Sequence, residues 1–304
     1  MRFVLGAMCA LLVSLPAASA YAYCRTTTVP TDPSFSPQPG NCWAEGIYVY
    51  HSRSCVGYAI EAPGSSKLDM ARFKTVAANA FSTWRNVTCD GTAPSIEAQF
   101  TGDTSKSALG YDVNGGKNAS AIVFWDDKWP NGSSNEVILT TLTFNKETGE
   151  VLDADMEVNT AEIDFTLNDP VPPNGTDMAS ALTHEVGHFF GLAHSSEKTA
   201  TMYAKYTPGS VFFRDLEQDD IDGFCSIYLG NGKRQTSKGT VEAGPCDPSA
   251  PPPPTSGGSS GSGCSTSGED GSSGFAGLAG LALPGLAGAF GLGLVMARRK
   301  RSRA

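Results

Sequence analysis

The stretch His184-Glu185-Val186-Gly187-His188-Phe189-Phe190-Gly191-Leu192-Ala193-His194 decides both the fold and the chemistry of this chain. His184 and His188 are four residues apart, so on a helix both imidazoles project from one face and can bind one zinc ion. Glu185 lies about 100° around the helix, where it can reach a zinc-bound water without binding the metal. Gly191 lies where the helix must end, since glycine adopts a positive φ at little cost, and the turn returns His194 as a third ligand. Three protein ligands leave zinc one open position, which is typical of catalytic sites.

This spacing is too specific to be accidental. Three of the four histidines in the chain fall within it. At average frequencies of His and Gly, chance produces all five fixed positions in roughly one of 10⁵ chains of this length. Surface histidines on an ordinary helix, or a zinc-holding protein without activity, are the alternatives, and the presence of Glu185 argues against the second.

Residues 43–232 are predicted to form one α+β domain. Apolar residues at helical spacing from Phe73 to Trp84 predict a long amphipathic helix, with Ser66 at its start. A second helix is expected over 178–190, and a third is expected to begin near Asp215, with Gln218 completing a capping box. Runs rich in β-branched and aromatic residues predict five strands, at 47–50, 96–100, 121–125, 137–144 and 151–158.

The eleven-residue motif resembles that of the metzincin metallopeptidases and, within them, the matrixins. Eight residues beyond the motif, Met202 in Ala200-Thr201-Met202-Tyr203 resembles the Met-turn of the family, an apolar floor under the zinc. The final helix, Leu216 to Phe224, and Trp84 also fit the family. The resemblance implies a five-stranded, twisted, mixed sheet with three helices and an active-site helix under a horizontal cleft. A peptide substrate would pair there with the edge strand at 139–144.

The resemblance also implies an endopeptidase that hydrolyses peptide bonds with a zinc-activated water, for which Glu185 is the general base. The expected zinc ligands are His184, His188 and His194, with Gly191 and Met202 in supporting positions. Two other functions stay open: a surface-anchored binding or adhesion protein with a vestigial zinc site, and a zinc hydrolase of a non-peptide substrate.

A second metal site is a separate question. Matrixins often carry a structural zinc held by further histidines, and only His51 remains outside the motif, so that zinc is expected to be absent. Calcium is the alternative, because one loop offers oxygen ligands, although a solvated acidic loop explains the same residues. The candidate calcium ligands are Asp126, Asp127, Asn131 and Asn135.

Both ends of the chain have the composition of export signals. Residues 1–20 are typical of a secretory signal peptide, followed by a short N-terminal segment at 21–42. A Pro/Gly/Ser-rich linker is expected at 233–274, an apolar span at 275–297 and a basic tail at 298–304. That order resembles the MYXO-CTERM sorting tail, with a plain transmembrane anchor as the alternative. We expect an exported protein, extracellular or on the surface of a Gram-negative bacterium, with membrane attachment through its C-terminal segment.

The charge of the chain limits the classes of molecule that it can bind. Acidic residues outnumber basic ones 31 to 22, and the basic residues cluster partly at the termini, so the body is acidic and nucleic acid is not an expected partner. We expect a monomer that acts on protein or peptide.

Six cysteines remain outside the predicted signal and tail, which indicates three disulfides with about fifteen possible pairings. The nearest-neighbour set is the one we predict: Cys24–Cys42, Cys55–Cys89 and Cys225–Cys246.

Overall fold

A computed structural model describes residues 21–114, 118–131 and 136–249, together with the backbone of residues 260–268. The predicted signal peptide, apolar span and basic tail lie outside the described residues. Within the described part of the chain, no helix has both the length and the apolar character needed to cross a membrane.

The three predicted helices are present, with different starting residues in two cases. They are α1 (Met70–Arg85), α2 (Met178–Phe189) and α3 (Gln218–Cys225). The predicted start at Ser66 is wrong, because Asp69 caps α1 by accepting hydrogen bonds from two first-turn amides. The capping box of α3 is formed by Glu217 and Asp220, two residues later in the chain than the predicted box of Asp215 and Gln218.

In the described part of the chain, thirteen strands accompany these helices, and most of them are short. In chain order they are β1 (Cys24–Arg25), β2 (Arg53–Glu61), β3 (Glu97–Thr104), β4 (Ala121–Phe124), β5 (Glu136–Asn145), β6 (Val151–Val158), β7 (Phe165–Thr166), β8 (Thr176–Asp177), β9 (Leu192–Ala193), β10 (Lys233–Thr236), β11 (Gly239–Glu242), β12 (Gly244–Cys246) and β13 (Ser260–Gly268).

A mixed seven-stranded sheet forms the centre of the domain. Its strands follow the order β12-β2-β4-β6-β5-β13, and β3 also pairs with β2. The pairings among β2, β3, β4 and β6 are parallel, whereas β5 is antiparallel to β6 and to β13. The five expected strands correspond to β2 through β6, and the C-terminal segment adds β12 and β13.

The first of these strands lies later in the chain than predicted. The stretch 47–50 forms only isolated bridges, and the strand itself is β2. Its sequence contains Arg53, Ser54 and Gly57, which weaken a strand pattern. Gly57 is nevertheless required, because a Cβ there would lie 2.1 Å from the carbonyl oxygen of Pro248.

The hydrophobic core lies between one face of the sheet and helices α1 and α2. Tyr58 of β2 stacks on Phe81 of α1 with ring centroids 4.1 Å apart. Trp84, fully buried, donates its Nε1–H to the carbonyl oxygen of Thr183 at 2.8 Å and thereby fixes α1 against α2. Burial of each large apolar side chain stabilises the fold by about 2 kcal/mol, so this layer holds the site helix rigidly.

Segments on both sides of the predicted domain join it. β1, in the short N-terminal segment, pairs with β9, directly after the site helix. The stretch assigned to the linker contains β10 and β11, which form a hairpin, and β12, which pairs with β2.

Two of the three predicted disulfides are wrong. Cys24–Cys42 is formed as expected, but the others are Cys55–Cys246 and Cys89–Cys225. Cys246 belongs to β12 and lies opposite Cys55 in the β12–β2 ladder. Strand pairing therefore brings Cys55 to Cys246, although Cys89 is nearer to Cys55 along the chain.

Candidate metal centre

Three histidine nitrogens converge at the C-terminal end of α2. The Nε2 atoms of His184 and His188 are 3.1 Å apart, and those of His188 and His194 are 3.2 Å apart. Two nitrogens bound to one tetrahedral zinc, each about 2.05 Å from it, are separated by about 3.3 Å. The donor set and its spacing therefore fit a zinc ion. Among the residues that the structure describes, this is the one group of three or more His, Cys, Asp or Glu side chains placed to hold a metal.

Backbone carbonyls orient the two helical imidazoles. The Nδ1–H of His184 donates to the carbonyl of Thr201 at 2.6 Å, and that of His188 donates to the carbonyl of Leu192 at 2.8 Å. These bonds place the proton on Nδ1 and leave Nε2 as the metal-binding atom. Burial lowers the pKa of His184 to about 4 and holds the pKa of His188 well below its usual value. Both side chains are thus neutral near pH 7, as metal binding requires.

The turn after α2 brings the third imidazole back to the first two. Gly191 has a φ of 96°, a value that only glycine adopts without strain. Its amide hydrogen bonds the carbonyl of His188, and its carbonyl accepts from Thr26. β9 then follows and is held by β1, so the N-terminal segment helps to fix His194.

Glu185 is buried beside the three histidines and is held by β5. Its Oε2 accepts a hydrogen bond from the hydroxyl of Thr140 at 2.5 Å, and both residues are fully buried. The carboxylate is fixed by this bond and does not belong to the group of three metal-binding side chains. Sequence reasoning identified Glu185 but missed Thr140, because a threonine in a strand rich in threonine carries no signal of its own.

Met202, for which we predicted the role of an apolar floor under the metal, is buried against Gly187 of α2. It is 1% exposed, and a Cβ on Gly187 would lie 2.2 Å from its sulfur, so the glycine in the helix makes room for the methionine. The carbonyl of Met202 accepts from the amide of Ser195 at 2.7 Å, which ties the floor to the residue after His194.

A buried carboxylate of α3 supports that floor. Asp220 accepts hydrogen bonds from the amides of Thr201 at 2.7 Å and of Met202 and Glu217 at 2.9 Å. Burial raises the pKa of Asp220 to about 6. Sequence reasoning missed this role and gave Asp220 only as part of the closing helix, although an acidic residue on the otherwise apolar face of a helix was a usable signal.

Two further polar candidates, His51 and Asp126, have structural partners. His51 is buried, stacks on Phe189, and donates from Nε2 to the carbonyl of Phe189 at 2.8 Å. Asp126 accepts hydrogen bonds from the hydroxyls of Ser65, Ser66 and Thr160, so both of its oxygens are already used. Asn135, expected in the same loop, lies outside the described residues.

Comparison with known proteins shows similarity to a family of metalloproteinases. A family model described as Matrixin matches residues 50–229. The chain is 44% identical over 66 residues to human neutrophil collagenase, which covers 22% of this chain and 14% of that protein. It is 42% identical over 64 residues to human matrilysin (21% and 23%) and 30% identical over 162 residues to Metalloendoproteinase 2-MMP of Arabidopsis thaliana (52% and 37%). The matched part therefore spans well under half of each of these relatives.

Proposed function

The chain belongs to the matrixin family, and from that membership we propose that it is an exported zinc-dependent endopeptidase with its active site at the C-terminal end of α2. The observation that carries the proposal is the convergence of three imidazole nitrogens next to a buried carboxylate that β5 holds in place. We assign His184, His188 and His194 as zinc ligands.

Each residue of the site has a separate role in the proposed hydrolysis. A zinc ion in this position would supply Lewis-acid chemistry, which polarises a carbonyl and acidifies water near neutral pH. Glu185 accepts the proton of the attacking water and delivers it to the leaving nitrogen of the peptide. Thr140 orients the Glu185 carboxylate for that transfer. Gly191 and Met202 support the site by returning His194 and by filling the space below the imidazoles.

We place the peptide substrate along the outer edge of β5. Thr140 lies in this strand and contacts Glu185, so an extended peptide hydrogen-bonded to β5 would bring its backbone beside the carboxylate. Main-chain pairing with a strand edge binds peptides largely without regard to their side chains, which suits an endopeptidase.

The proposal of export rests on sequence. Residues 1–20 have the composition of a signal peptide, and residues 275–304 that of a MYXO-CTERM-like tail or membrane anchor. Three disulfides in the described domain agree with an oxidising compartment. We do not extend the proposal to calcium, because hydroxyl donors already occupy Asp126.

Zinc content and peptide cleavage, measured on the same preparations, test the function. Glu185→Ala should keep one zinc per chain and lose casein cleavage by at least about a hundredfold, because general base catalysis contributes about 10²–10⁴ in rate. His184→Ala should lose the metal as well as the activity. The control is Glu162→Ala, an exposed carboxylate outside the group of three histidines and Glu185, which should change neither. A zinc-loaded Glu185→Ala protein that cleaves at the wild-type rate would refute the assignment.

A further inference from the structure

The outer edge of β5 is occupied by a strand from the same chain. β13 pairs with β5 in antiparallel register, from Ser260 opposite Asn145 to Gly268 opposite Glu136. The pairing reaches both ends of β5, with one register shift between Ser267 and Gly268. The C-terminal segment therefore takes the edge on which we have placed the peptide substrate.

The centre of β13 passes directly beside the metal centre. Ser265 lies opposite Thr140, the residue that hydrogen bonds Glu185, and Cys264 lies opposite Thr141. β13 also lies against α2, the helix that carries the first two histidines. Its backbone thus runs where a scissile peptide would have to run.

The point at which the C-terminal segment is attached to the domain is close enough for β13 to pair with β5 of the same molecule. The Cys55–Cys246 disulfide attaches the segment at the start of β2. Because β2, β4 and β6 are parallel and β5 is antiparallel to β6, the start of β2 and the end of β5, where β13 begins, are at the same end of the sheet. Four strand spacings from β2 to β13 amount to about 19 Å. The fourteen residues from Cys246 to Ser260 can span up to about 46 Å.

We infer that residues 260–268 are an autoinhibitory strand that competes in cis with peptide substrates for the edge of β5. The inference rests on the proposed function. The backbone groups along that edge are engaged by β13 through a ladder that runs from Asn145 to Glu136, so β13 and a substrate exclude one another.

The composition of the segment makes this inhibition weak and reversible. Residues 260–268 are Ser-Gly-Ser-Gly-Cys-Ser-Thr-Ser-Gly, and glycine loses more conformational entropy on ordering than other residues. Tethering offsets this loss, since attachment to the same chain gives the segment an effective concentration in the millimolar range. A peptide substrate with larger side chains displaces β13, so the segment raises the apparent KM and leaves kcat unchanged.

Two neighbouring proline substitutions in the full chain test the inference. In an antiparallel ladder, consecutive residues alternately direct their N–H toward and away from the partner strand, so one of Ser262→Pro and Gly263→Pro removes a donor to β5. The other points outward, where an edge strand tolerates proline, and is the matched control. Ser262→Ala and Gly263→Ala control for the side-chain change. We expect one proline variant to lower the KM for a synthetic peptide about fivefold at unchanged kcat. The reason is that the fraction of molecules whose β5 edge is free to bind substrate rises.

Hydrogen exchange provides a readout that does not depend on activity. In a Glu185→Ala background, which prevents self-cleavage, the peptide covering residues 136–145 should lose amide protection in the same proline variant and not in its neighbour. Equal KM values and equal protection in both proline variants would overturn the inference and leave the proposed function intact. If the proline variant loses β5 protection as expected, but the same variant with Glu185 intact and zinc bound cleaves no peptide, the proposed function is refuted instead.

Discussion

At the scale of single residues, the contact between Thr140 and Glu185 links the sheet to the chemistry. Thr140→Val removes the hydroxyl that donates to the Glu185 carboxylate but keeps the shape and strand propensity of the side chain. A hydrogen bond to a charged group contributes about 1.5–3 kcal/mol, so kcat should fall at least about tenfold while zinc content stays at one per chain. Thr143→Val, in the same strand, is the control. An unchanged kcat in Thr140→Val would show that the hydroxyl does not orient the general base.

His51 makes stability depend on pH. Burial lowers its pKa to about 4, against about 6.5 in an unfolded chain, so between these values the folded state binds fewer protons. The stabilisation is fully present above about pH 6.5 and is lost as the pH falls toward about 4. His51→Gln keeps a donor for the carbonyl of Phe189 and removes the titration. Between pH 7.5 and pH 5, the free energy of unfolding in urea should fall by about 2 kcal/mol more in the wild type than in His51→Gln. Equal losses in the two proteins would contradict this origin.

At the scale of elements, α3 supports the floor of the site from below. Asp220→Asn replaces an acceptor of three amide hydrogens by a group with one oxygen and an NH₂. At least one buried amide then loses its partner, so we expect the free energy of unfolding to fall by about 2 kcal/mol and zinc affinity to fall with it. Asp222→Asn, in the same helix and partly exposed, should change neither. Calorimetry and zinc titration of both variants test this expectation. Equal stabilities of Asp220→Asn and Asp222→Asn would exclude a supporting role for Asp220.

At the scale of the whole molecule, the disulfides close loops of very different length. Cys24–Cys42 spans 18 residues, whereas Cys55–Cys246 spans 191. In the chain-entropy model these loops stabilise the fold by about 3 and about 5 kcal/mol, respectively. Replacing both cysteines by alanine should therefore destabilise the protein more for the long loop than for the short one, as measured by urea unfolding. The opposite order would show that local strain or residual structure outweighs loop entropy here.

The sequence by itself determined the features that depend on neighbours along the chain. The His184–His194 spacing, the glycine turn, the three helices and the Cys24–Cys42 pair all arise within a few turns of one segment, where periodicity and backbone sterics decide. The matrixin family and the positions of four of the five predicted strands followed from such local patterns.

Only the tertiary structure decided which distant segments meet. Cys246 pairs with Cys55, Thr140 reaches Glu185, and Asp220 supports Met202, because strand order and helix packing place them side by side. In the unfolded chain, loop entropy favours near partners, which is why nearest-neighbour disulfides were the natural prediction. Folding offsets that entropy with burial and ladder hydrogen bonds, whose partners are set by the arrangement of the whole sheet. The pairing of β13 with β5 is also decided by the tertiary structure. No local pattern in a Ser/Gly stretch indicates a strand, and this stretch becomes a strand only because it pairs with the edge of β5.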